Sequence, residues 1–194
     1  MRLHIEKKAI RALGIAESFR RDDVYSTLAG VVMRSDLVVD GFAIGKLRVS
    51  GFDSTKSIVS LFQNLQRNDV NVLLLSGSVL SLYNVVDVDG LQYKLKLPIV
   101  AISFKKSSAD LAGNIHERFP AKVASRKIAL LEKLGRPVKV RLESGFEVYV
   151  RTAGMGEIET KRLIDRFTLQ GSLPEPIRVA RLLARTVAMI NKSK

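Results

Sequence analysis

The feature that most limits the fold of this chain is an apolar run at residues 70–75, interrupted only by Asn71. Such a run is typical of a strand that is buried on both faces of a sheet. Strands of this kind bring the residues that follow them to the carboxyl edge of the sheet, where α/β proteins bind ligands. The residues that follow here are Ser76, Gly77 and Ser78, and the next charged side chain is Asp87.

The segments before this run predict an antiparallel meander. Three apolar segments with polar turns between them occupy residues 12–19, 27–33 and 41–53. Short alternating segments of this kind are typical of paired antiparallel strands. After Asp53 the apolar residues recur at helical spacing, and we expect Asp53 or Ser54 to cap that helix.

The second half continues with alternating helices and strands. We predict helices at residues 84–95, 120–134, 157–169 and 176–190, a strand at 97–104 and a hairpin at 137–151. The order β-β-β-α-β-α-β is the layout of the ribonuclease H-like fold. We therefore predict an α/β protein with a mixed sheet, an antiparallel meander joined to parallel strands, flanked by helices. A C-terminal hairpin and two helices follow, and the length favours one domain over residues 1–194.

Positive charge is concentrated at the C-terminal end. The chain has a net charge of +13, and residues 118–194 hold 17 Lys and Arg against 7 Asp and Glu, whereas the preceding residues hold 15 against 12. A basic region of this kind predicts a polyanion partner, because Lys and Arg contacts to phosphates release counterions. We therefore expect nucleic acid, DNA or RNA, as the partner. The alternative is a solubilising surface.

Six cations are candidates for contacts with phosphates. Three fall at i, i+3 and i+7 on the last predicted helix, where they either bind phosphates or form an ordinary solvated face. The other three end the second and fifth predicted strands. The six are Arg178, Arg181, Arg185, Arg34, Lys105 and Lys106.

Several classes of protein are excluded by composition. Cysteine is absent, so disulfides, zinc ribbons, iron–sulfur clusters and thiol catalysis are excluded together. No apolar run approaches the roughly 20 residues that a membrane span requires. The N-terminal segment has charges throughout and no apolar core, as expected for a protein without a secretion signal. We expect a cytoplasmic protein that does not act at a membrane.

Five segments carry a resemblance to a known family. They are "LGIAESF", "VVMRSDLVVDG", "VSGFDST", "NVVDVDGL" and "GSLPEPIRVARLLA". Together they resemble an archaeal family of endonuclease V relatives, also labelled endonuclease dU, over residues 12–190. The resemblance implies a ribonuclease H-like fold, a nucleic-acid partner, and cleavage near deaminated bases, such as uracil or inosine, with Mg²⁺ or Mn²⁺.

The resemblance also implies where a metal site would lie. The first acidic position of the family falls on Ala16, with Glu17 matching a second acid after it. The central acid falls on Asp53 and is kept. The acid at the end of the fourth strand falls on Ser76, so a hydroxyl replaces a carboxylate, and a neutral hydroxyl is a poor ligand for Mg²⁺.

Further candidates come from the segment that follows the fourth strand. The resemblance implies that Tyr83 lies at the nucleic-acid cleft. Asp87 and Asp89 are candidates for further metal ligands, of which Asp87 would join Asp53. The two are alternatively acids at a helix start, where the helix dipole favours negative charge. The Ser76–Ser78 segment is a degenerate metal corner, a simple turn, or a nest of backbone amides for phosphate.

The leading hypothesis is therefore a nucleic-acid-binding protein whose metal-dependent nuclease site is degenerate. The alternative is an active Mg²⁺- or Mn²⁺-dependent endonuclease that uses Glu17, Asp53 and Asp87. A further alternative is a non-catalytic module that binds a protein partner. The distances between the three carboxylates separate the first two hypotheses, because ligands of one ion must lie together.

Overall fold

A seven-stranded mixed sheet forms the centre of the protein, in a computed structural model that describes residues 10–20, 22–104 and 111–191. The strands are β1 (Arg11–Ser18), β2 (Tyr25–Arg34), β3 (Val39–Arg48), β4 (Val72–Leu75), β5 (Val79–Leu80), β6 (Asn84–Val85), β7 (Ile99–Ser103), β8 (Val138–Arg141) and β9 (Glu147–Ala153). The helices are α1 (Ser54–Asn64), α2 (Val88–Leu95), α3 (Leu111–Arg118), α4 (Ala121–Lys133), α5 (Glu157–Arg166) and α6 (Glu175–Ile190). Strands β5 and β6 form a separate small hairpin.

The order of strands in the main sheet is β3-β2-β1-β4-β7-β9-β8. Strands β1, β2 and β3 form an antiparallel meander. Strand β4 then pairs parallel to β1, and β7 pairs parallel to β4, each after a helix. The C-terminal hairpin, β8 and β9, extends the sheet because β9 pairs antiparallel to β7. This mixed sheet, flanked by helices, confirms the predicted ribonuclease H-like α/β fold.

Side chains on the two faces of the sheet form two separate cores. Alternate residues of a strand point to opposite faces, so β1 and β4 contribute to both. One core packs against α5 and α6 and contains Ala12, Ala16, Val72, Leu74, Leu163, Ile177 and Ala180. The other packs against α1 and α2 and contains Leu13, Ile15, Leu73, Leu75, Ile58, Leu61 and Leu91. Strand β4 is fully buried along its length, as its apolar run predicted.

The structure differs from the sequence predictions at three local points. The helix expected from residue 84 begins at Val88, because Asn84–Val85 pairs with β5 after a turn whose three residues have positive φ. Helix α3 was not predicted, since its segment contains Gly113 and Asn114 and buries only Ile115. Asp53 lies at the N-cap position of α1, but its side chain makes no capping hydrogen bond. Among the described helices, none is long and apolar enough to cross a membrane.

Candidate functional site at the carboxyl edge of the sheet

The carboxyl ends of β1 and β4 form a corner of neutral side chains. Leu75 pairs with Ile15, and the Ser76 backbone N–H donates to the Ile15 carbonyl oxygen at 2.9 Å. Ala16 therefore lies next to Ser76. Ala16 is fully buried and belongs to the core that α6 covers. The two positions where the resemblance expects carboxylates thus adjoin each other beneath α6, and neither carries charge.

Arg181 of α6 fills this corner with a fixed positive charge. Its Nε and Nη2 donate to the Ser76 Oγ at 3.1 and 2.7 Å. Its guanidinium also lies 4.8 Å from the centre of the Phe104 ring. Burial lowers the pKa of Arg181, and the negative charge of Glu17 acts in the opposite direction. A guanidinium remains charged in proteins, so the corner holds a permanent cation.

A second arginine, on β9, makes the same kind of contact with Ser78, the next serine after Ser76. Arg151 of β9 donates from Nη1 to the Ser78 Oγ at 2.9 Å and from Nε to the Gly135 carbonyl oxygen at 3.2 Å. Burial lowers the pKa of Arg151 as well. Both arginines line a cleft of about 540 Å³ at the ends of β4 and β7. Of the residues that the structure describes, the cleft lining contains these two cations and no acidic side chain.

Glu17 points to the other face of the sheet and does not replace Ala16. Its Oε2 accepts from the Ser26 Oγ at 2.6 Å, and its Oε1 accepts from the Ser81 backbone N–H at 3.2 Å. Adjacent residues of a strand face opposite sides, so an acid one position later cannot occupy the Ala16 site. Glu17 instead connects β1 and β2 to the small β5–β6 hairpin.

The Asp53 carboxylate accepts hydrogen bonds from groups that hold the local fold together. It accepts from the Arg48 backbone N–H at 3.2 and 3.1 Å and from the Asn84 Nδ2 at 2.7 Å. The Asn84 Oδ1 in turn accepts from the Ser54 N–H at 3.1 Å. The Asp53 and Asn84 side chains thereby join the end of β3, the start of α1 and the small hairpin.

Asp87 caps helix α2. Its Oδ1 accepts from the Gly90 N–H at 3.1 Å, and its Oδ2 accepts from the Lys133 Nζ at 2.9 Å. Burial raises the pKa of Asp87, but the hydrogen bonds from Lys133 and Gly90 outweigh this effect and leave the pKa below its usual value. Of the two interpretations of Asp87, the acid at a helix start is the one that its contacts match.

The carboxylates near the corner do not form a site for Mg²⁺ or Mn²⁺. A hard cation of this kind needs several oxygen ligands around one point. Within residues 10–20, 22–104 and 111–191, no three acidic or histidine side chains come together to hold an ion. Glu17, Asp53 and Asp87 each accept hydrogen bonds from different protein groups, and Ser76 faces a cation. The donor set therefore does not fit the metal that the resemblance implies.

The remaining candidates for nucleic-acid contacts lie in different places. Arg178 and Arg185 are exposed on α6, and Arg178 forms an ion pair with the buried Glu175. Arg34 pairs in register with Arg11, which places it at the opposite end of the sheet, and it forms an ion pair of 2.5 Å with Asp36.

One aromatic and two cationic candidates complete the set. The Tyr83 ring packs edge to face against Phe119 at 5.8 Å, so it belongs to a local aromatic cluster. Lys105 and Lys106 lie outside the described residues.

Sequence reasoning missed two cations, Arg151 and Lys127. Arg151 reaches the cleft because β9 pairs with β7. No local sequence pattern indicates a pairing between two strands so far apart in the chain. Lys127 is fully buried, and its Nζ donates to the Gly51 and Tyr83 carbonyl oxygens at 2.8 and 2.9 Å. Burial lowers the pKa of Lys127 to about 8. A lysine within an amphipathic helix is normally expected to be exposed to solvent, so the sequence does not indicate that Lys127 is buried.

Comparisons with solved structures define the class of fold. The chain resembles human ENDOV with a TM-score of 0.66 at 19% identity, over 95% of this chain and 86% of that one. It also resembles the endonuclease V of Ciona intestinalis, solved with a DNA that contains an inosine, with a TM-score of 0.57 at 16% identity, over 96% of this chain and 88% of that one. The protein thus has an endonuclease V-like fold of the ribonuclease H type.

The family is defined by sequence. The family model for endonuclease dU matches residues 8–188, so the chain belongs to the endonuclease dU family. A UPF0215 protein of Pyrobaculum aerophilum is 33% identical over 172 residues, which cover 89% of this chain and 91% of that protein. The resemblance seen in the sequence motifs is therefore confirmed.

Proposed function

We propose that this protein binds nucleic acid through an endonuclease V-like scaffold on which metal-dependent cleavage has been lost or severely weakened. The observation that carries the proposal is the contact between Arg181 and Ser76, beside Ala16. A guanidinium at this position repels a divalent cation and attracts a phosphate, whereas two carboxylates would do the opposite. The same corner of the fold is therefore suited to hold an anion.

Family, fold and charge support nucleic acid as the partner. The family is named for an endonuclease, and the related Ciona endonuclease V was solved with DNA. Residues 118–194 carry the excess of Lys and Arg, and two exposed members of this set, Arg178 and Arg185, lie on the helix that covers the cleft. Phosphate contacts from such side chains position a strand without reading its sequence.

The alternative of an active nuclease built on Glu17, Asp53 and Asp87 has less support. It requires these side chains to leave their present hydrogen bonds, including the charge-assisted bond from Lys133 to Asp87. A metal would have to offset the loss of all these hydrogen bonds. A protein-interaction module remains a separate outcome of the test below.

The test is a titration of labelled single and double strands, with and without uracil or inosine, at several salt concentrations. In EDTA we expect binding whose affinity falls by orders of magnitude between low and physiological salt. We expect little or no cleavage of the same strands when Mn²⁺ or Mg²⁺ is added. Binding that is absent at low salt would favour the interaction module, and rapid metal-dependent cleavage would refute the degenerate site.

A further inference from the structure

The cleft contains two cations that have no anionic partner among residues 10–20, 22–104 and 111–191. Arg151 and Arg181 are both partly buried, and neither forms an ion pair with a carboxylate in the described part of the chain. Glu17 is near enough to attract Arg181, but its oxygens are hydrogen-bonded on the other side of β1. Removing a charge from water is costly unless an opposite charge compensates for it. Two such cations facing one cleft indicate that an anionic ligand supplies the missing charge.

The positive charges of the two arginines favour a phosphate monoester over a phosphodiester as the ligand. Among the described residues, the cleft lining carries two positive charges and no negative one. An internal phosphodiester of a nucleic acid carries one negative charge, whereas a phosphate monoester carries about −1.5 to −2 at pH 7. A monoester therefore matches the pair of guanidinium groups better. Guanidinium groups also bind phosphate oxygens with two parallel hydrogen bonds, as lysine does not.

We infer that the cleft binds the terminal phosphate of a nucleic-acid strand, a phosphate monoester, between Arg151 and Arg181. This inference rests on the proposed function, since it assigns one part of the bound strand to one place on the protein. It also assigns a role to Ser76 and Ser78. Each hydroxyl oxygen accepts a hydrogen bond from an arginine, so its own proton is available for donation to a phosphate oxygen.

The remaining walls of the cleft suit the nucleotide that carries the phosphate. A volume of about 540 Å³ falls within the range of small-ligand sites, roughly 300–1,000 Å³, and exceeds the needs of a phosphate alone. Phe104, Leu131, Pro137 and Tyr149 provide apolar and aromatic surface beside the two arginines. A cleft that combines two arginines with aromatic and apolar side chains fits a terminal nucleotide.

The experiment compares four versions of one short labelled strand, with a 5′-phosphate, a 3′-phosphate, both phosphates, or hydroxyl groups at both ends. Binding is measured in EDTA at a fixed salt concentration. One of the singly phosphorylated strands should bind about tenfold to a hundredfold more tightly than the hydroxyl strand, the range expected for charge-assisted hydrogen bonds. The preference should shrink as the pH falls below about 6, where a monoester gains a proton.

Matched variants test the residues. Arg151→Gln and Arg181→Gln should each reduce the ratio of affinities for the phosphate and hydroxyl strands to near one, and Arg181→Lys should keep only part of it. Arg162→Gln removes an exposed charge on α5, so it should leave the ratio unchanged even if all affinities fall slightly. Melting curves of the variants establish that each is folded.

The outcomes separate this inference from the proposed function. A natural protein that binds all four strands equally well would refute the terminal-phosphate site and leave nucleic-acid binding standing. A protein that binds none of them would refute both. A preference that survives both glutamine variants would place the phosphate elsewhere and would also overturn the inference. The measurement on the natural protein decides the first two cases without any variant.

Discussion

Gly14 allows helix α6 to lie directly on strand β1, and its replacement by alanine should separate the two. A Cβ atom at Gly14 would lie 2.3 Å from the Pro176 carbonyl carbon and 2.5 Å from the Pro176 Cβ. Pro176 is in the first turn of α6, and backbone atoms cannot rotate away as a flexible side chain can. This contact explains why a glycine in β1 and the "PEP" segment occur together in this chain.

The size of the effect follows from these distances. The gap must open by about 1.1 Å, from 2.3 Å to the 3.4 Å at which ordinary contact begins. A comparable movement of α6 would lengthen the 2.7 Å bond between Arg181 and Ser76 beyond the usual limit of about 3.2 Å. Overpacking costs about 1–3 kcal/mol, and a hydrogen bond from a charged group contributes about 1.5–3 kcal/mol. We expect Gly14→Ala to lower the unfolding free energy by the sum of the two contributions, about 2.5–6 kcal/mol.

The assay is urea unfolding together with strand binding, and Gly45→Ala is the control. Gly45 lies in β3, where an added Cβ would meet Leu61 at 3.6 Å, an ordinary contact. Gly45→Ala should therefore change stability by less than about 0.5 kcal/mol, or raise it slightly because alanine restricts the unfolded chain. Gly14→Ala should also weaken the preference for a terminal phosphate. Equal stability of the two variants would show that the packing of α6 on β1 does not depend on Gly14.

Other predictions concern charge. Burial lowers the pKa of Lys127 from 10.5 to about 8, so between these pH values the unfolded chain binds more protons than the folded protein does. The unfolding free energy should therefore rise with pH across that window, by up to about 3 kcal/mol. The variant Lys127→Met should lack this rise. Hydrogen bonds from Arg11 and then Arg67 lower the pKa of Asp40. The stability difference between the natural protein and Arg67→Met should therefore shrink in acid titrations as the pH falls below about 3.8. The double variant Arg178→Ala, Arg185→Ala should reduce the salt dependence of binding, by about one unit or more of slope, and keep the terminal-phosphate preference; an unchanged slope would make this row an ordinary solvated face.

The parts of the fold that sequence predicted are those determined by local patterns. In the run at residues 70–75, successive apolar side chains enter the two cores in turn. A strand that is apolar on both faces is expected to be buried in an α/β protein, and it is buried here. The placement of Ala16 and Glu17 on opposite faces also follows from alternation alone. The β5–β6 hairpin could not be predicted in this way, because contacts from distant segments hold it, including the bonds from Lys127 and to Asp53.

The candidate site was predictable only in part for the same reason. The resemblance implies carboxylates at positions 16 and 76, and the sequence has the neutral residues Ala16 and Ser76 there. It did not show what faces Ser76, because Arg181 lies 105 residues further along the chain. Periodicity placed Arg181 in a row with Arg178 and Arg185, but α6 packs so that Arg181 borders the buried stripe formed by Ile177, Ala180 and Ala184.

The most direct test of the central claim is the melting temperature as a function of Mn²⁺ concentration, for natural protein and for two variants. The variants are Ala16→Asp with Ser76→Asp, and the same pair combined with Arg181→Met. New carboxylates in the double variant should pair with Arg181, whereas the triple variant leaves them free for a cation. The triple variant should be the least stable without metal and should gain the most from Mn²⁺. The natural protein should not respond, and a rise in its melting temperature equal to that of the triple variant would contradict the account.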